Sequence, residues 1–304
     1  MRHFLQIFDA TRSELLEILE RAASYKKDGY REKTLQGRVV ALLFEKPSTR
    51  TRVSFSSAVS RLGGEIIYLP ASELQLARGE PIKDTARVLS RYVDAAVARL
   101  NSHSSIEELA RYSSIPVVNA LTDLHHPCQA LADLATMYEF SGGWGFKVAY
   151  IGDFNNVCRS LVQICVMLGV SISVAVPKKY WPPAPELAKY RELAVSIGSE
   201  LEVLEDPESA VKDADFIYTD VLVSMGLEAE YEKRLKDFLP RYRVTMQLLK
   251  NAKPGARFMH CMPIKRGEEV DEEVVESPLS IIFDQAEYRM HTSAALLTLL
   301  LTRD

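Results

Sequence analysis

Residues 48–52 read Ser-Thr-Arg-Thr-Arg, three hydroxyls and two guanidinium groups in five positions, directly after the apolar run VVALLF that ends at Phe44. A helical stripe of Phe55, Ala58, Val59 and Leu62 follows and stops at Gly63 and Gly64. Ser48 is therefore the expected N-cap. Free first-turn N–H groups and the positive helix end then face the same place as the hydroxyls of Ser48, Thr49 and Thr51, which suits a bound phosphate. On a helix, positions 50 and 52 diverge by about 200°. One arginine can face the anion; Arg50 is assigned to it and Arg52 to a structural ion pair. The Gly-rich Walker pattern is absent, which argues against a nucleoside triphosphate.

Two more apolar runs in the first half end in polar groups. DAAVAR ends in Arg99, and IPVVNAL leads into TDLHHPCQ, which supplies His126 and Gln129, with Pro127 suited to the first turn of a helix. In the second half, KVAYIGD runs into FNN. The single Gly152 there lacks the three-glycine pattern that lets a backbone approach a pyrophosphate, so a dinucleotide is disfavoured. Asn155 and Asn156 occupy that turn. DFIYTD ends in Asp220 and continues through VLVSMG with Ser224, and ARFMHC ends in His260 and Cys261 before MPIKRGEE. A carboxylate, an amide, a thiol and free backbone amides on one edge would suit a zwitterion carrying a second amine.

These groups need a scaffold that presents strand ends side by side. Strand-length apolar runs alternate with helix-period segments, the pattern of an α/β protein with parallel strands. Strands are expected at 38–44, 65–69, 94–99 and 115–119, then at 147–152, 171–176, 201–204, 215–219, 256–260 and 279–283. Helices are expected near 48–62, 82–92 and 105–112. The Gly-rich stretch 141–145 marks the expected boundary between two domains, each a parallel sheet flanked by helices: 1–140, and 141–284 with a Rossmann-like pattern. Two long helices, one starting near Pro127 and one over 285–302, are expected to join them, with 285–304 packing back on the first domain. In such sheets ligands bind beyond the carboxyl ends of the strands.

The composition narrows the classes further. With 47% hydrophobic and 26% charged residues, the 304-residue chain reads as globular. A net charge of −4 gives no general attraction to nucleic acid or acidic membranes, so an anion site must be built locally. No apolar run approaches the roughly 18 residues of a membrane span. Charges at Asp9, Arg12 and Glu14 interrupt the N-terminal stretch, so a cytoplasmic location is expected. Four cysteines without paired spacing read as reduced thiols.

The motifs STRTR, HPCQ, GDFNN, DVLVSMG and HCMP, in this order over nearly the whole chain, resemble the aspartate/ornithine carbamoyltransferase family. The HPCQ cysteine and the SMG loop point to its ornithine branch. The resemblance implies that Ser48, Thr49, Arg50 and Thr51 bind the phosphate of carbamoyl phosphate and that Arg289 completes that site. Arg99, His126 and Gln129, with Pro127 and Cys128 of the same stretch, would hold the carbamoyl group. Asn156, Asp220, Ser224 and Met225 would bind the amino-acid end of ornithine, and Cys261 and Met262 would border the δ-amine and the carbamoyl phosphate. Catalysis is assigned to Arg50, Arg99, His126, Asp220 and Cys261. Gln75 matches a residue reaching a neighbouring subunit, which implies a homotrimer or a multiple of trimers. No metal and no organic cofactor is implied. Met262 stands where the family usually has leucine, and Lys265 replaces a histidine, adding a charge near the pocket mouth.

Overall fold

The computed structural model describes residues 2–224 and 226–302; Met225, assigned to the acceptor site, lies outside the described residues. The chain divides into two compact units, Met1–Ala135 with Ala286–Asp304, and Thr136–Gln285. The division falls inside a helix rather than at the Gly-rich stretch 141–145. That stretch ends the helix, with Gly142, Gly143 and Gly145 at φ 72°, 151° and 105°, values that residues with a side chain rarely adopt.

In the first unit the strands are β1 (Val39–Phe44), β2 (Glu65–Pro70), β3 (Ala95–Arg99) and β4 (Val117–Leu121). The helices are α1 (Arg12–Asp28), α2 (Thr49–Arg61), α3 (Ile82–Tyr92), α4 (His103–Tyr112) and α5 (Pro127–Ser141), which runs on into the second unit. The strands are parallel in the order β2-β1-β3-β4. β3 is buried along its whole length, as an unbroken apolar run covered on both faces must be, whereas β2 at the edge is partly exposed. Leu43, Ala96, Ala98, Ile106, Leu109 and Val117 form one of its core clusters. Phe44 pairs with Arg99, so β1 and β3 end level with each other.

In the second unit β5 (Lys147–Ile151), β6 (Ser171–Ala175), β7 (Leu201–Leu204), β8 (Phe216–Thr219) and β9 (Arg257–His260) form a parallel sheet in the order β7-β6-β5-β8-β9. Its helices are α6 (Asn156–Leu168), α7 (Ala184–Ile197), α8 (Pro207–Val211), α9 (Tyr231–Phe238), α10 (Met246–Leu249) and α11 (Glu272–Val275), and α12 (Ile282–Thr302) carries the chain back into the first unit. The strand expected at 279–283 does not form. Ser280 makes a single parallel bridge to Phe258, and α12 starts at Ile282. A short apolar run cannot by itself distinguish a strand from the first turn of a buried helix, and here the helix wins. Among the described residues no helix is long and apolar enough to cross a membrane.

Candidate active site

In the first unit the polar groups gather where the adjacent strands β1, β3 and β4 end. Ser48 caps α2: its hydroxyl accepts from Thr51 N at 3.3 Å and donates to Thr51 Oγ1 at 3.1 Å. Arg99 is the last residue of β3, and His126 directly precedes Pro127, the first residue of α5. Arg289 enters from α12. Its guanidinium donates to Gln129 Oε1 and, at 3.3 Å, to Thr51 Oγ1. Gln129 Nε2 in turn donates to Asp133 Oδ1 at 2.8 Å, so the amide is oriented from both ends. Thr51, Arg99, His126, Gln129, Asp133 and Arg289 are all buried.

The electrostatics of this cluster follow from its composition. Burial, reinforced by the charges of Arg289, Arg99 and Arg50, holds His126 well below the usual imidazole range. Desolvation disfavours the cation and three guanidinium groups add repulsion, so the ring is neutral at pH 7. A neutral imidazole among three fixed positive charges suits an anion. The cationic ends of the arginines, the α2 N-terminus and the hydroxyls supply the donors for one.

Other first-unit expectations land differently. Arg52 makes no ion pair among the described residues; its guanidinium lies 3.7 Å from the Tyr68 ring centroid. The partner of Arg52 is thus an aromatic face on β2 and not the expected carboxylate. The Cys128 thiol donates to Asn119 O at 3.3 Å, and burial pushes its pKa up to about 12. Its side chain is thus spent on the β4 backbone. Gln75 opens a short 3-10 turn, Gln75–Arg78, and is exposed.

In the second unit the ends of the adjacent strands β5, β8 and β9 bring Asn155, Asp220 and Cys261 together. The chain leaves β5 through Gly152 at φ 136°, a conformation that favours glycine. Asn155 then caps α6, accepting from Val157 N and Cys158 N at 3.0 Å each. The same side chain donates to Asp220 Oδ2 at 2.8 Å and to Ser224 Oγ at 3.2 Å. Asp220 Oδ1 accepts from the Cys261 thiol at 3.1 Å. Asn155 therefore links these side chains, whereas Asn156 opens α6 and its carbonyl accepts from Ser160. The sequence placed both asparagines in this turn, and the helix start one residue after Asn155 marks Asn155 as the cap.

The turn after β9 is held from behind. His260 Nδ1 accepts from Met262 N at 2.8 Å, so Nε2 carries the proton and faces Glu269 Oε1 at 3.2 Å. Glu269 Oε1 also accepts from Lys265 N at 2.7 Å. These bonds support Met262 at φ 57°, an uncommon conformation for a residue with a side chain. Asp220, His260 and Cys261 offer ligand atoms within 4.8 Å of one another, but both His260 nitrogens are already engaged by the protein, so a cation there would have to displace one of these bonds. The Lys265 ammonium lies 3.7 Å from Glu268 and 4.3 Å from the Tyr231 ring centroid, which offsets the charge it introduces.

Comparison with known proteins places these two edges in one family. Residues 2–139 match the model described as aspartate/ornithine carbamoyltransferase, carbamoyl-P binding domain, and residues 144–300 match its Asp/Orn binding domain. An Archaeoglobus fulgidus protein named ornithine carbamoyltransferase is 49% identical over 100% of this chain and 99% of its own. The solved ornithine carbamoyltransferase of Pyrococcus furiosus superposes with a TM-score of 0.94 at 49% identity, covering 99% of this chain and 97% of that one. The anabolic ornithine carbamoyltransferase of Campylobacter jejuni gives 0.93 at 39% identity, covering 99% of each. With both halves matched and identity near one half over its full length, the chain belongs to the aspartate/ornithine carbamoyltransferase family.

Proposed function

We propose that the chain transfers the carbamoyl group of carbamoyl phosphate to the δ-amine of L-ornithine, giving L-citrulline and phosphate. The observation that carries this reading is the presence of two chemically opposite strand edges in one chain. One is a cluster of three arginines around a neutral histidine; the other is a carboxylate bonded to an amide and a thiol. The names of the full-length relatives support ornithine as the acceptor.

In this reading residues 1–140, with 285–304, form the carbamoyl phosphate half and 141–284 the ornithine half. The α2 N-terminus with Ser48, Thr49, Arg50, Thr51 and Arg289 takes the phosphate, and Arg99, His126 and Gln129 take the carbamoyl oxygen and amide. Pro127 and Cys128 contribute through the main chain of the α5 start. Asn156, Asp220, Ser224 and Met225 take the amino-acid end of ornithine, while Cys261 and Met262 border the reacting amine.

The attacking amine must be neutral, yet an alkylamine with a pKa near ~10.4 costs about 4.6 kcal/mol to deprotonate at pH 7. Asp220 accepts that proton, with the hydrogen-bonded Cys261 thiol as the relay that passes its own proton to the carboxylate as it takes up the amine's. As the C–N bond forms, negative charge grows on the carbonyl oxygen, for which Arg50, Thr51, Arg99 and the neutral His126 are fixed donors. The bond between the carbonyl carbon and the phosphate oxygen then breaks, the remaining proton of the now cationic nitrogen passes to the departing phosphate, and the phosphate leaves already bound by arginine and helix N–H groups. None of these steps calls on a metal or an organic cofactor. Gln75, exposed in the single chain, is assigned to a neighbouring subunit's carbamoyl phosphate in a homotrimer. The anabolic naming of the C. jejuni relative supports a biosynthetic role, which we assign to arginine biosynthesis in the cytoplasm.

The test is a product assay on purified protein with carbamoyl phosphate and ornithine, aspartate or putrescine. Citrulline formation with ornithine as the preferred acceptor is expected; turnover of aspartate or putrescine without ornithine turnover refutes the assignment.

A further inference from the structure

Behind the acceptor edge of the second unit lies a buried ion pair that the chemistry above does not use. Arg234 of α9 is 4% exposed and Asp153, in the turn after β5, is 7% exposed. The guanidinium donates from Nη2 to Asp153 Oδ2 and from Nε, at 2.9 Å, to Leu222 O. It lies beside a stacked pair of aromatic rings, with centroids at 4.7 Å for Tyr180 and 5.6 Å for Phe238. The far end of α9 is itself tied down, because Tyr180 OH donates to Asp237 at 2.7 Å. Arg234 thus reaches inward from an anchored helix.

What it joins is specific. Asp153 stands two residues before Asn155, and Leu222 lies midway between Asp220 and Ser224. One side chain therefore clamps the two segments whose own side chains meet as the contacts of Asn155 with Asp220 and Ser224. A buried ion pair is weak evidence for stability, since desolvation offsets much of the attraction. Burial pushes Asp153 up to about 6 against the pull of Arg234, with the charge of Asp220 adding to the rise. A costly charge pair retained at this place is better explained by geometry than by stability. The planar guanidinium can donate along two fixed directions at once, which a lysine ammonium does not reproduce.

We propose that Arg234 is a positioning residue for the acceptor amino acid: it holds the 220–224 segment in register with the Asn155 turn and so sets the pocket that receives ornithine. This deepens the proposed function and rests on it.

The test is steady-state kinetics of Arg234→Lys and Asp153→Asn, each checked for folding by circular dichroism and for binding of carbamoyl phosphate. Arg234→Lys is expected to lower kcat/KM for ornithine about tenfold or more through KM, while KM for carbamoyl phosphate stays within about twofold. Asp153→Asn should shift the same parameter in the same direction, and the double variant should lose no more than the larger single effect, because the two act as one unit. A folded Arg234→Lys with unchanged ornithine KM, or with equal losses for both substrates, overturns the proposal. If Arg234→Lys does not fold, the same KM split in Asp153→Asn decides. If the unmutated protein uses another amine instead of ornithine, the functional reading fails, and the KM split measured with that amine still decides the role of Arg234.

Discussion

Lowering the pH from 7.5 to 5.5 should destabilise the protein by an amount that can be assigned to His126. The ring is 5% exposed, and burial together with Arg289, Arg99 and Arg50 holds its folded-state pKa well below 6.5. In the unfolded chain it titrates near ~6.5. Below that value the unfolded state binds a proton that the folded state refuses, so stability is fully present above 6.5 and is lost as the pH falls. Integrated from pH 7.5 to 5.5, with the folded ring neutral throughout, one such group removes about 1.4 kcal/mol. His3, His103 and His291 are lowered too and act with the same sign, so the wild-type curve contains their contributions as well. Comparison with His126→Gln isolates the one of interest. Urea unfolding at several pH values should show a shallower pH dependence in the variant, by about 1.4 kcal/mol across this range. Equal slopes in the two proteins would mean that the folded ring protonates, and the neutral histidine in the arginine cluster would have to be abandoned. Saturating phosphate should reduce the contrast, because an anion bound among the arginines reduces their repulsion on the ring and lets it protonate at higher pH.

Two further outcomes follow from the same geometry. Arg50→Ala should weaken phosphate binding about tenfold or more, measured by calorimetry. Arg52→Ala should leave phosphate binding unchanged and lower stability by about 0.5–1 kcal/mol through loss of the Tyr68 stack, and similar binding losses in both variants would contradict the division between the two arginines. Cys128, Cys158 and Cys165 are buried while Cys261 is partly accessible, so a thiol-specific reagent should label one cysteine per native chain rapidly, with the other three following on unfolding. Peptide mapping that finds rapid label elsewhere than Cys261 goes against this placement.

The parts of the fold that were legible in the sequence are those where one physical signal acts alone. VVALLF and DAAVAR are unbroken apolar runs of strand length, and both form buried central strands. Ser48 and Pro127 stand at helix starts because capping and a fixed φ are local requirements. The misreadings arise where a tertiary partner decides. Residues 279–283 carry a strand-like composition, but only Ser280 finds a bridge before α12 begins. Arg52 meets Tyr68 because β2 lies beside β1, a neighbour that residue spacing cannot supply. Asp133 was accessible in principle, since it lies one helical turn after Gln129 on α5, where i and i+4 side chains meet. Arg234 was not, since nothing in its own helix announces the carboxylate 81 positions earlier in the chain that it holds.

The central claim is a division of labour between two strand edges, and Asp220→Ala measured against both substrates tests it most directly. Carbamoyl phosphate affinity, determined calorimetrically without ornithine, should stay within about twofold of the unmutated protein, while kcat/KM for ornithine falls about a hundredfold or more through loss of a charged hydrogen-bonding partner. A comparable loss in both quantities would show that the carboxylate at the end of β8 does not belong to the acceptor alone.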